Sequence, residues 1–211
     1  MKKNFRAMLS GVACGALLAC GSVAAQTEPI VFVHGYSGSS SNWNTMVGRF
    51  KASGYPAELL YTFDYNSFVN ANSTSGSELR SFVESVRARH GNATVSIVAH
   101  SNGGLVTRWY RTQLGGQAAM RRFVSLGSPH KGTNSAYACY SPACYDMRPG
   151  SSFLNTLAGR GCDRSLWSNT DEIIQPVTSA QCGSSTRTPD VSHNGLLSDE
   201  RVYQQVREQL Q

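Results

Sequence analysis

The stretch that most constrains this chain is Thr94-Val95-Ser96-Ile97-Val98-Ala99-His100-Ser101-Asn102-Gly103-Gly104-Leu105. Its first half is β-favouring and apolar. A helix-like run, Gly104 to Tyr110, follows at once. A chain can turn from strand to helix this sharply only if the residues flanking the apex are small. With Ser101 at the apex, the positions two before and two after are Ala99 and Gly103. Such a turn strains the serine backbone and lifts the hydroxyl clear of the sheet. It also places that hydroxyl at a helix N-terminus, whose dipole favours nearby negative charge. Small-x-Ser-x-Gly also occurs by chance in a buried strand followed by a Ser-containing turn, so the rest of the chain decides its meaning.

Strand and helix patterns alternate around it. Pro29 to His34 is a continuous apolar run of the kind buried on both faces of a parallel sheet. It ends in the loop His34-Gly35-Tyr36-Ser37-Gly38. Ser39 to Ser41 are placed to cap a helix reaching Ala52, with Trp43, Met46, Val47 and Phe50 on one face. Glu58 to Phe63 reads as the next strand, followed by a polar loop from Asp64 to Thr74. Ser75 and Glu78 have capping-box spacing ahead of Leu79, Phe82, Val83 and Val86. Arg121 to Leu126 is another buried strand. The alternation predicts an α/β fold: one domain, with a compact, mostly parallel sheet and helices on both faces.

From Asn134 to Gly161 the alternation breaks. This stretch holds Pro142, Pro149, two cysteines and a short helical piece, Ser152 to Leu157. It is expected to be an excursion over the carboxyl edge of the sheet, where ligands bind in such folds. Arg164 to Ser168 then reads as a strand, with Asn169-Thr170-Asp171 as the loop beyond it. Ile173 to Pro189 reads as irregular. Ser198 is placed to cap a last helix with Val202, Val206 and Leu210 inward.

The N-terminus carries a different signal. Lys2, Lys3 and Arg6 precede an apolar stretch from Ala7 to Leu18, and Val23-Ala24-Ala25 has the small residues of a cleavage site. Residues 1–25 are therefore expected to be a signal peptide, with 26–211 as the exported domain. Leu17-Leu18-Ala19-Cys20 offers a rival reading, lipid attachment at Cys20. The exported part keeps 16 basic and 13 acidic residues, a net +3. That charge is small and scattered, which argues against a nucleic-acid partner. No transmembrane segment and a monomer are expected. Four cysteines remain: Cys139, Cys144, Cys162 and Cys182. An even number in an exported chain points to two disulfides. Of the three pairings, Cys139–Cys144 and Cys162–Cys182 each close a short local loop. A zinc site is disfavoured by the spacing and by the lack of a histidine among them.

A serine hydroxyl needs a base to take its proton, usually a histidine held by a carboxylate. In the α/β-hydrolase fold, where the strand-to-helix turn at serine is the nucleophile elbow, these follow in the order Ser, acid, His. After Ser101 only His130 and His193 remain. His193 lies in a loop before the last helix, whereas His130 is expected to line the cleft or pack locally. Among the acids, Asp171 falls just past a predicted strand; Asp190 is the runner-up. Asp146 lies in the excursion, Asp163 precedes its strand, and Glu172 is expected to point elsewhere. An oxyanion needs two backbone N–H groups, for which Asn102 and Tyr36 are the candidates. Tyr36, Trp43, Phe68 and Tyr137 either border an acyl groove or pack.

Val33-His34-Gly35-Tyr36-Ser37-Gly38, Ala99-His100-Ser101-Asn102-Gly103-Gly104, Gly127-Ser128-Pro129-His130-Lys131-Gly132-Thr133, Asp171-Glu172-Ile173-Ile174 and His193-Asn194-Gly195-Leu196-Leu197 together resemble the successive motifs of small secreted bacterial lipases, the class 2 lipase-like α/β-hydrolases whose elbow begins with Ala. The resemblance runs from residue 29 to the C-terminus. It implies a triad of Ser101, Asp171 and His193, oxyanion amides at Tyr36 and Asn102, and hydrolysis of lipid carboxylic esters with no cofactor and no metal. The substrate would be a lipid or other ester, at a lipid–water interface for a lipase. A polyester depolymerase or short-chain esterase with the same triad is the alternative. A non-catalytic binding protein on this fold is a more remote one.

Overall fold

The computed structural model describes Met1 and residues 28–211. The expected cleavage site and the Cys20 rival lie outside the described residues. Among the described residues there are six strands: β1 (Ile30–Val33), β2 (Leu60–Phe63), β3 (Val95–His100), β4 (Met120–Leu126), β5 (Arg164–Trp167) and β6 (Ser184–Arg187). They form one sheet in the order β2-β1-β3-β4-β5-β6, and every neighbouring pair is parallel. The described residues also form six α-helices: α1 (Asn44–Ala52), α2 (Asn72–Arg89), α3 (Asn102–Gln113), α4 (Pro142–Met147), α5 (Ser152–Leu157) and α6 (Glu200–Leu210).

The apolar runs explain the layering. In β1, Ile30 and Phe32 face one side, where Trp43, Met46 and Phe50 of the α1 region pack with Val202, Tyr203 and Val206 of α6. Val31 and Val33 face the other, where Leu79, Val83 and Val86 of α2 and Val106 and Tyr110 of α3 pack. All four β1 residues are buried. Each contributes about 1.5–3 kcal/mol relative to exposure, so an edge position would forfeit several kcal/mol. β6 is the reverse case. Ser184-Ser185-Thr186-Arg187 has no apolar face, and it lies at the sheet edge as a strand within a segment whose sequence reads as irregular.

Two helix starts differ from the sequence reading. α2 begins at Asn72, three residues before the expected capping box, and Ser75 is buried within it. The Asn72 amide is capped from a distance by Asp146 Oδ2 at 2.8 Å, while Glu78 accepts from Asn70. The helix docks closely on α3: a Cβ added to Gly76 would sit 2.7 Å from Trp109 Cδ1. α6 is capped by Asp199, whose carboxylate accepts the Arg201 and Val202 amides, and not by Ser198.

The excursion builds its own small core. Ala136, Cys144, Met147, Phe153, Leu154 and Leu157 pack against Leu105 of α3. Trp109 stacks on Phe153 at 5.1 Å. Cys139 is bonded to Cys144 and Cys162 to Cys182. The sequence did not reveal α4, a short helix with Pro142 at its start.

Candidate active site

Ser101 ends β3 and caps α3 with φ 52° and ψ −127°, a strained conformation for a residue with a Cβ. Its amide donates to the Leu126 carbonyl at 2.9 Å, which ties the turn to β4. The neighbouring glycine is needed for close approach: a Cβ on Gly103 would lie 2.6 Å from the Val33 carbonyl oxygen. The loop after β1 runs equally close, since a Cβ on Gly35 would lie 2.8 Å from Ser101 Cβ.

Ser101 opens into a cavity of about 250 Å³ whose lining includes Tyr36, Ala136, Met147, Ile174 and His193. His193 Nδ1 donates to Asp171 Oδ2 at 2.8 Å, with both side chains buried. A carboxylate only accepts, so Nδ1 carries the hydrogen and Nε2 is left as a basic lone pair. Asp171 sits in the loop after β5, and its Oδ1 accepts the Ile173 and Ile174 amides at 2.9 and 2.8 Å. Burial pushes its pKa up, but the His193 imidazole and those two amides outweigh burial. The carboxyl lies below its ordinary range and stays ionised.

Three further residues brace this pair; the sequence names Glu172 only among the acids set aside and assigns no such role to His100 or Gly127. His100 Nε2 donates to the His193 carbonyl at 3.0 Å, and the two rings lie 4.4 Å apart. Burial, and then the neighbouring His193, lower the His100 pKa to about 3, so no second charge competes there. Glu172, expected to point elsewhere, reaches His193 through the backbone: its Oε2 accepts the His193 amide at 3.0 Å. Gly127 has φ +51°, and a Cβ there would meet Asp171 Oδ2 at 2.9 Å and His193 Nδ1 at 3.3 Å.

The other candidates sit elsewhere. His130 hydrogen-bonds the Ser125 hydroxyl at 2.8 Å and borders a separate cavity beside Arg108. Asp190 pairs with Arg187 on the surface. Asp163 accepts the Phe123 amide, and Asp146 caps α2. Trp43 is core, and Phe68 and Tyr137 are exposed. As the first residue of α3, Asn102 has an amide without an intrahelical partner. Tyr36 shares the cavity with Ser101. Among the described residues, no group of three His, Cys, Asp or Glu is placed to hold a metal ion, and no helix is long and apolar enough to cross a membrane.

A parallel sheet with a strained serine between strand and helix, and a buried histidine–carboxylate pair at the same cavity, defines an α/β-hydrolase. Residues 27–211 match the family described as Lipase (class 2), and the chain belongs to that family, whose members are carboxylic ester hydrolases of the lipase and esterase class. Solved structures agree on the fold. The mature lipase BlEst2 of Bacillus licheniformis superposes with a TM-score of 0.76 at 18% identity, covering 87% of this chain and 92% of that one. The Legionella pneumophila phospholipase PlaB gives 0.73 at 13% identity over 88% and 59%. Aspergillus fumigatus lipase B gives 0.67 at 17% identity over 81% and 49%.

Proposed function

We propose that the protein is a secreted serine ester hydrolase that cleaves acylglycerol esters through an acyl-enzyme on Ser101. The observation that carries this reading is the buried His193–Asp171 pair at 2.8 Å, lining the same cavity as the strained Ser101. Ser101 Oγ attacks the ester carbonyl while His193 Nε2 takes its proton. The tetrahedral oxyanion is received by the amides of Tyr36 and Asn102. It collapses with cleavage of the C–O bond, and His193 returns the proton to the departing alcohol. Water, deprotonated by the same nitrogen, then releases the carboxylic acid. Asp171 holds the tautomer and stabilises the imidazolium.

The lipid reading is supported by the surface around the cleft. Met1 apart, the exposed large apolar side chains among the described residues are Phe68, Val69, Tyr137, Tyr140, Tyr145 and Ile173. They lie in segments that border the cleft. Phe68 packs on Tyr36 at 5.3 Å, and Ala136, Cys139 and Ile173 line the cavity itself. Arg148 spans the three tyrosines, 4.2–5.9 Å from their ring centres, while bonding the Ala136 and Cys139 carbonyls. An apolar rim of this kind fits adsorption to a lipid surface. Export is supported by the two disulfides and the N-terminal sequence.

The test is a panel of p-nitrophenyl esters of rising acyl length, with emulsified triglyceride and a polyester film beside it. Wild type is expected to hydrolyse the esters and to gain rate on the emulsion. Ser101→Ala, still folded, should lose at least about 10³-fold in kcat. A fully active Ser101→Ala variant overturns the serine mechanism. Activity restricted to short soluble esters or to polyester overturns the lipase reading and keeps the hydrolase.

A further inference from the structure

One phenol joins the two segments that carry the proposed oxyanion amides. Tyr65 lies just past β2, is 8% exposed, and has no place in the reaction described above. Its hydroxyl donates to the His34 carbonyl at 2.9 Å. That hydroxyl has a single hydrogen, so toward Asn102 it can only accept, and Asn102 Nδ2 donates to it at 3.3 Å. The second hydrogen of Asn102 Nδ2 goes to Asn72 Oδ1 at 2.8 Å. Tyr65 is held to the β1 loop twice more. Its amide donates to His34 Nε2 at 3.2 Å, and its ring stacks on the His34 ring at 4.3 Å with planes 10° apart. With Nε2 accepting, His34 Nδ1 carries the hydrogen and donates to the Gly35 carbonyl at 2.8 Å.

Gly35 directly precedes Tyr36, and Asn102 directly follows Ser101. A bridge running His34 carbonyl, Tyr65 hydroxyl, Asn102 side chain thus links the segments that carry the Tyr36 and Asn102 amides. We propose that Tyr65 is a positioning residue that fixes the spacing between them, so that both amides point at one oxygen. The proposal rests on the serine-hydrolase reading above. Two observations make the bridge a rigid one. Its members Tyr65, His34, Asn102 and Asn72 are all buried, so water does not compete for their bonds. Burial also raises the phenol pKa well above its ordinary value, so the hydroxyl keeps its hydrogen and remains a donor to His34. An amide displaced from the oxyanion loses strength where charge develops in the transition state. It loses little toward the neutral ester, so the effect belongs in kcat.

The experiment replaces Tyr65 by Phe in the full chain, which removes one oxygen and keeps the ring. Rates on a soluble p-nitrophenyl ester are normalised by active-site titration with a phosphonate, and affinity for an alkyl boronic acid, a tetrahedral analogue, is measured beside them. Tyr65→Phe is expected to lower kcat by about 10- to 100-fold with KM within about twofold. Boronic-acid affinity should fall by the same factor as kcat/KM. Asn102→Ala approaches the bridge from its other side and keeps the backbone amide. It should reproduce the kcat loss, and the double variant should be no worse than the worse single one. Tyr61→Phe, whose hydroxyl pairs with His90 at 2.7 Å at the far end of β2, should leave kcat unchanged. Wild-type kcat in Tyr65→Phe, a loss confined to KM, or a lower melting temperature with unchanged boronic-acid affinity overturns the positioning role alone. A wild-type protein inactive on every ester overturns both this role and the hydrolase reading.

Discussion

Nδ1 of His193 stands 2.8 Å from Oδ2 of Asp171, and both side chains are no more than 6% exposed. In so dry a place the carboxylate is the group that fixes which imidazole nitrogen carries the hydrogen. Asp171→Asn keeps the shape and reverses that preference, because an amide N–H now faces the ring. The expected result is a kcat lower by about 10⁴-fold with the fold retained. Steady-state kinetics together with circular dichroism check it.

Gly127 guards the same pair. At φ +51° any side chain is strained, and a methyl group would press on Leu196 as well as on Asp171 and His193. Gly127→Ala is expected to lose about 1–3 kcal/mol of stability and most of the activity. Urea unfolding and the activity of the folded fraction measure the two effects separately.

Acid should destabilise the protein well above the carboxylate range. His100 titrates at about 3 in the folded chain and at 6.5 in its ordinary state. Between those values the unfolded chain binds a proton that the folded chain does not, so stability falls as pH drops through that window. Burial lowers the pKa of His34 and His130 as well and adds to the same slope. Asp171 acts lower down: its contribution is complete above 3.8 and is lost as pH falls through its depressed folded pKa. Urea midpoints between pH 4 and 7 should fall steadily with acid, and His100→Gln should show a shallower slope than wild type.

Arg108 is 2% exposed and donates to the carbonyls of His130, Leu157 and Arg160. It thereby pins the end of α5 to α3. Burial lowers its pKa to about 10, so it stays charged at neutral pH. Arg108→Met would leave the His130 and Arg160 carbonyls without a donor, the Leu157 carbonyl keeping the Arg160 amide, and is expected to lose about 2–3 kcal/mol, read as a drop in melting temperature.

The apolar rim should govern adsorption and leave chemistry alone. Phe68→Ser and Tyr140→Ser each remove an exposed ring worth about 1.5–3 kcal/mol when buried. Each is expected to weaken binding to a triglyceride emulsion about tenfold or more, with the rate on a soluble butyrate ester unchanged. Partitioning by centrifugation and parallel assays would show it.

Much of the fold was legible because its signals are local. The apolar runs of β1, β3 and β4 mark central strands, since only a strand covered on both faces can hold so many buried side chains. The small residues flanking Ser101 mark the sharp turn. β6 left no such trace, because a polar edge strand is held by backbone bonds to β5 and buries no face. The cap of α2 is hidden from the local sequence for a related reason. Ser75 and Glu78 have the right spacing, but Asp146, 74 residues away, offers the Asn72 amide a carboxylate.

The sequence by itself determined the order of the parts: a serine at a turn too tight for large neighbours, an acid beyond a later strand, a histidine before the last helix. Periodicity and local sterics are properties of neighbouring residues, so a single chain displays them. The tertiary structure alone decided which groups meet. It set His100 and Glu172 against His193, and it placed the Tyr65 hydroxyl between His34 and Asn102. Those contacts join residues 21 to 93 positions apart. They exist only because the parallel sheet brings the carboxyl ends of its strands to one edge, and no local pattern encodes which side chains will face each other there.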